Sequence, residues 1–103
     1  MGVSKTIVNF KHYVYIITNK PKGVLYIGET GGLKKRIYQH KNKVHPTTFS
    51  ARDNLDVLIY YEEYNSEVEA KLREKQMKKW NRDLKLELIE KANPDWKDFY
   101  EEI

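Results

Sequence analysis

The segment HYVYIITNKPKGVLYIG, residues 12–28, constrains this chain more than any other stretch. Its first half alternates and is rich in aromatic and β-branched residues, which predicts a strand over about 12–18. NKPKG sets Pro21 and Gly23 between two apolar runs, the chemistry of a hairpin loop. VLYIG then returns as a second, antiparallel strand that ends at Gly28. Side chains alternate along a strand, so Tyr13, Tyr15 and Ile17 share one face and Val14 and Ile16 the other. Tyr26 and Gly28 likewise oppose Leu25 and Ile27. Tyr15 and Tyr26 can therefore meet on one face. The chain has eight tyrosines, and tyrosine suits strands, so this meeting alone reads as core packing.

The remaining pattern is helical with one further strand. Thr30 is placed to cap a helix running from about Leu33 to Lys43, with Leu33, Ile37 and Val44 as its apolar stripe. HPTTFSARDN (45–54) is a polar loop, and LDVLIYYEEY carries a third strand near 56–62. NSEVEAKLREKQMKKWNRD is the clearest helix, opened by a capping box from Ser66 to Glu69. Ala70, Met77, Trp80 and Leu84 fall on one of its faces, and Val68 with Leu72 on another, which predicts packing on both sides. LKLELIEKA forms a further helix that Asn93-Pro94 ends, with a last turn through DWKDFY. The order β-β-α-β-α-α describes an α+β domain, a small three-stranded antiparallel sheet flanked by helices. One domain over 1–103 is expected, with its core at about 11–92 and a C-terminal turn or short helix over 93–103.

Charge narrows the partners. Residues 1–50 hold nine Lys/Arg against one acid, a balance of +8, and residues 51–103 hold ten against fourteen, a balance of −4. A basic half of this kind is the electrostatic footprint of a nucleic-acid binder, or else a solvated lysine-rich surface. The chain has no cysteine, which excludes disulfides and thiolate metal clusters and is compatible with a reducing cytoplasm. The N-terminal sequence lacks the features of a signal peptide, and the longest apolar run, YVYII, is far too short to span a bilayer. A cytoplasmic protein without a membrane partner is expected.

Few residues stand out as chemical. Arg36 and His40 are four apart and share a helix face beside the apolar stripe. A packed guanidinium suits a phosphate, although a snorkelling Arg and a half-buried His would give the same pattern. Glu74 lies between Ala70 and Met77, at the border of an apolar face, where a surface pair with Lys78 or Lys71 is the plain reading. His12 and His45 have no partner at ligand spacing. GETGG lacks the Lys-Ser/Thr of a phosphate loop, and no Ser/His/Asp set is present.

Taken together, these pieces resemble the GIY-YIG nuclease family. YVY, ten residues, YIG, Arg eight after the glycine, His four further on and Glu in the next long helix follow the family order. The likeness extends through VYIITNKPKGVLYIGET, LKKRIYQH, LIYYEEY, EAKLREKQMKKW and LIEKANPDW to most of the chain, and is nearest to the short stand-alone bacterial members. The first residue of the family signature, a glycine, is Tyr13 here, and the second is Val14.

The resemblance implies a nuclease that cuts a DNA phosphodiester with one divalent metal, magnesium or alternatively manganese. It assigns catalysis to Tyr15, Tyr26, Arg36, His40 and Glu74, with Glu74 as the metal ligand. A hard cation that keeps several waters needs only one or two protein carboxylates. One tyrosine, with Tyr26 preferred, would take the proton of the attacking water, and His40 would share that duty or hold a phosphate or a tyrosine hydroxyl. Gly28 would leave room for the phosphate, with Lys34, Lys35 and Lys41 attracting nucleic acid. Asn93 is a rough candidate for a further active-site Asn. The DNA is expected to be double-stranded or branched, with a protein partner as one source of target choice. Another reading is a non-catalytic nucleic-acid binding module whose strand tyrosines, Tyr15 among them, stack on bases. A third is a protein-interaction domain with the acidic YEEI end as its contact.

Overall fold

The computed structural model describes residues 11–44 and 54–103. His45, nearly all of the expected loop at 45–54 and the N-terminal residues read for a signal peptide lie outside the described residues. Three strands, β1 (His12–Thr18), β2 (Leu25–Thr30) and β3 (Val57–Tyr64), and three helices, α1 (Leu33–Lys41), α2 (Glu67–Lys78) and α3 (Arg82–Ala92), follow the order β-β-α-β-α-α. A 3-10 turn at Tyr100–Glu102 follows. The strands form an antiparallel sheet of order β2-β1-β3, which leaves β2 as an edge. Tyr15 pairs with Gly28 on β2 and with Tyr61 on β3, and an irregularity between Ile16 and Ile17 shifts the β1–β3 register.

The period of two sends apolar side chains to both faces. Val14, Ile16, Ile27 and Ile59 pack against Ala70 and Met77 of α2, Ile89 of α3 and Trp96. On the other face Tyr15, Ile17 and Leu58 pack with Leu55 and with Leu33 and Ile37 of α1, and Phe99, Tyr100 and Ile103 close over them. Each fully buried isoleucine contributes about 1.5–3 kcal/mol of transfer free energy. The sheet is thus the middle layer, with α1 and the C-terminal segment on one side and α2 and α3 on the other.

Five expectations need correction. Thr30 is not the cap of α1: it still belongs to β2, and its hydroxyl accepts from the Gly32 amide at 3.1 Å, leaving Gly32 as a cap without a side-chain bond. The second strand continues past Gly28 to Thr30. Helix α1 stops at Lys41, so Val44 lies beyond it and is 48% exposed. The second apolar face of α2 is exposed rather than buried: Val68 and Leu72 are 68% and 58% exposed. Leu84 also leaves the α2 face, because α2 ends at Lys78 and Leu84 belongs to α3.

Other local readings hold. The Ser66 hydroxyl accepts from the Glu69 amide at 3.2 Å and caps α2. A polar clamp also fixes α2 to β3. The Glu62 carboxylate accepts from Tyr60 and Tyr64 hydroxyls and, at 2.9 and 3.0 Å, from Nε and Nη2 of Arg73, whose guanidinium lies over Trp80. No helix among the described residues is long and apolar enough to cross a membrane.

Candidate active site

The site begins at Tyr15 on the central strand. Its side chain is 2% exposed, and its ring lies over Gly28 of the edge strand. A Cβ at Gly28 would stand 2.5 Å from Tyr15 Cζ and 2.9 Å from Cε1. No glycine among the described residues has positive φ, so Gly28 is required by space and not by backbone freedom. A side chain here obstructs Tyr15, a reason for this glycine that the sequence alone did not show. Crossing Gly28 carries the Tyr15 hydroxyl from the central strand toward the open edge of the sheet.

Helix α1 meets that hydroxyl. His40 Nε2 lies 3.0 Å from it, and the two rings are 5.7 Å apart. The Tyr26 ring completes a triangle, 6.4 Å from Tyr15 and 5.9 Å from His40. Arg36, one turn before His40, is partly buried and lines a recess with Thr30, Gly32, Lys35 and Gln39. Glu74 approaches from the other layer. Its partly buried carboxylate pairs with Lys78 at 3.0 Å, as the plain reading of the sequence expected, while Lys71 turns to Glu29 and Glu67.

Electrostatics ties these groups together. Burial raises the pKa of the Tyr15 hydroxyl well above its usual 10.0, Tyr26, Glu74 and Glu29 push it further, and Arg36 opposes them. Tyr15 therefore keeps its proton at neutral pH. The protonated hydroxyl donates to Nε2 in the His40 tautomer that carries its proton on Nδ1, and accepts from Nε2–H in the other.

No group of three or more His, Cys, Asp or Glu able to hold a metal exists among the described residues. The donor set does not suit a closed zinc cage. It does suit a hard cation that keeps most of its waters and takes one carboxylate, here Glu74.

The lysines separate into two kinds. Lys41 reaches Asp98 at 2.6 Å and the Asp56 carbonyl at 2.7 Å. Lys34 donates to the Tyr100 carbonyl at 2.8 Å and lies 3.9 Å over its ring. Both fasten the C-terminal segment to α1. Lys35 is exposed on the rim of the Arg36 recess.

Asn93 is displaced from the expected role. It caps α3, is 4% exposed, and gives its amide to the Ile59 and Lys97 carbonyls at 3.0 and 2.9 Å, on the β3 side of the sheet. His12, unassigned from sequence, has a partner: its Nδ1 lies 2.6 Å from Glu29 Oε2. The β1–β2 register brings them together, and helix-type spacing rules give no sign of it.

Comparison with known proteins gives the family and the fold. The family description "GIY-YIG catalytic domain" matches residues 11–87. A UPF0213 protein of Staphylococcus saprophyticus is 37% identical over 79 residues, covering 77% of this chain and 94% of that protein. A UPF0213 protein of Clostridium perfringens is 35% identical over 92 residues, covering 89% and 97%. The solution structure of the UPF0213 protein BH0048 from Bacillus halodurans has the same fold, with a TM-score of 0.54 at 24% identity over 85% of this chain and 92% of that one.

Proposed function

This chain belongs to the GIY-YIG catalytic-domain family, and from that premise we propose that it is a divalent-metal-dependent endonuclease hydrolysing a phosphodiester of DNA. One observation carries the reading. A buried tyrosine hydroxyl at the sheet edge is held 3.0 Å from a histidine, within electrostatic reach of an arginine from one layer and a glutamate from the other.

In this reading Arg36 binds the non-bridging phosphate oxygens and opposes the charge that grows on them. Losing such a fixed donor costs ~100-fold or more in rate. Tyr15 accepts a proton from the attacking water as it passes its own to His40 Nε2, so a hydroxyl of raised pKa need never become a free phenolate. This moves the base role from Tyr26, the tyrosine preferred from sequence, to the Tyr15–His40 pair. Tyr26 packs beside both rings and limits where they can turn. Magnesium, or manganese in its place, would bind Glu74 and supply charge neutralisation at phosphate and leaving oxygen. Lys35 supplies attraction for DNA, and Lys34 and Lys41 join it where the C-terminal segment leaves their charge exposed. Double-stranded or branched DNA in the cytoplasm, with a partner protein adding target choice, is the setting proposed.

In the non-catalytic alternative the strand tyrosines stack on bases, and of these Tyr15, 2% exposed, offers no face to one. The test is cleavage of nicked, flapped and supercoiled DNA with Mg²⁺ or Mn²⁺, by wild type and Glu74→Ala. Cleavage by wild type and its loss in the variant are expected. No cleavage of any substrate, or cleavage indifferent to the substitution, removes the proposal.

A further inference from the structure

A second concavity lies on the α1 face of the sheet, next to the site. It holds about 630 Å³, within the usual range of ligand sites, and its lining includes Tyr13, Tyr61, Lys11, Lys35, Gly32 and Glu63. Tyr13 and Tyr61 face each other edge to face at 6.5 Å, and Phe99 holds the other side of Tyr61 at 6.1 Å. Tyr61 is 36% exposed, so here a tyrosine ring is both fixed and open to solvent.

Charge and continuity say what fits. Lys35 is exposed with no ion pair or hydrogen bond among the described residues, and it lines both this groove and the Arg36 recess, as does Gly32. The acid of the groove, Glu63, is already paired with Lys11 at 3.1 Å. Helix α1 begins here with neither a side-chain cap nor an acid in its first turn, which adds to the attraction for an anion. An aromatic wall, unopposed cation and unbroken path to the phosphate site match a nucleotide.

We infer that this groove is a subsite for an unpaired nucleotide next to the cleaved phosphate: the base stacks on Tyr61 against Tyr13, and Lys35 takes the phosphate between the two recesses. The inference rests on the reading that the neighbouring site handles a phosphodiester. The base must be unpaired because a duplex stacks both of its faces, whereas a splayed base can lie on an aromatic ring. Tyr13, where the family signature has glycine, then forms part of this wall.

Fluorescence anisotropy tests this in EDTA, so that turnover plays no part. The probes are a single-stranded DNA dodecamer and a hairpin duplex of matching sequence. Wild type binds the single strand more tightly, and Tyr61→Leu, which keeps an apolar contact for Phe99, weakens that binding ~10-fold or more while changing duplex binding less than ~2-fold. Equal or tighter binding of the duplex by wild type, or unchanged single-strand binding by the variant, overturns the inference. A scan of abasic positions along the dodecamer needs no variant: one position costing ~10-fold supports the subsite, and no sensitive position overturns it. Cleavage of the same strands in Mg²⁺ is scored apart. Tyr61-dependent binding retains the subsite even where these strands and the nicked, flapped and supercoiled DNA all stay uncut, the result that removes the nuclease reading, and cleavage without Tyr61 dependence does the reverse.

Discussion

Gly28→Ala isolates the contact on which the site depends. The three heavy atoms nearest to the added Cβ all belong to Tyr15, with Cζ at 2.5 Å, against an ordinary lower limit of 3.4 Å. The ring must move by about 0.9 Å, the difference between those distances, and it is buried among Ile17, Leu33, Ile37 and Leu58. Overpacking of this kind costs ~1–3 kcal/mol. Displacing the hydroxyl from His40 adds ~1 kcal/mol. A loss of ~2–4 kcal/mol is a large part of the 5–15 kcal/mol that holds a typical domain together. Melting should fall on the order of 10–20 °C.

Activity should fall further than stability predicts. A misplacement of ~1 Å at a reacting group can cost 100-fold, so cleavage by the folded fraction drops by about that factor. Backbone strain is an alternative cause of damage at a glycine, and a double-mutant cycle separates the two. In a Tyr15→Leu background the atoms that collide are gone, and Gly28→Ala should cost under ~1 kcal/mol, a coupling of at least ~1 kcal/mol. Urea unfolding of the four proteins measures it. Equal losses in both backgrounds would refute the steric account.

Three other perturbations reach separate parts of the molecule. His40→Ala removes the partner of a buried hydroxyl, so unfolding free energy falls by ~1–3 kcal/mol and cleavage by ~100-fold or more; adding Tyr15→Phe should lower cleavage little further, as measured by single-turnover rates. Glu62→Ala strands the Arg73 guanidinium and two tyrosine hydroxyls, and chemical denaturation should show a loss of ~3 kcal/mol with the pocket of Tyr15 unchanged. Burial raises the pKa of Tyr15 and Tyr60, and burial with Glu62 pushes Tyr64 up to about 12. A folded pKa above the unfolded one contributes stability that is complete below pH ~10 and lost above it, so urea midpoints should fall steeply over pH 10–12, and less steeply in Tyr60→Phe.

The layers of the fold were legible because they follow from local periodicity. Alternation in HYVYIIT assigned residues 13–17 of β1 to their observed faces, and Ser66 with Glu69 marked the start of α2. Arg36 and His40 were placed on one helix face by their spacing. What stayed hidden depends on register and on neighbours distant in sequence. The contact of Tyr15 with Gly28 needs the β1–β2 pairing, and so does that of His12 with Glu29. Val68 and Leu72 form a helical stripe that no pattern rule distinguishes from a packed one. Lys34 and Lys41 read as surface cations because their partners, Tyr100 and Asp98, lie 66 and 57 residues away.

The position of the site follows from the layering. Helices α1 and α2 pack on opposite faces of the sheet, so the sheet separates their side chains everywhere except past its edge. Strand β2 is the edge beside the Tyr15–His40 contact, and in the proposed function it is there that Arg36 and His40 from one layer and Glu74 from the other would address one phosphate. The central strand is one position further in, and a side chain from it must cross β2 to contribute. Gly28 is the gap that permits this crossing, which makes it as necessary to the site as the groups that touch substrate. The same geometry keeps the departures at residues 13 and 14 out of this crossing. Val14 points into the opposite core at 0% exposure, and Tyr13 pairs with Thr30 and faces the adjoining groove. Neither position contributes to the crossing of Tyr15 over Gly28 or to its bond with His40, so a chain can vary both and still bring the hydroxyl to the edge.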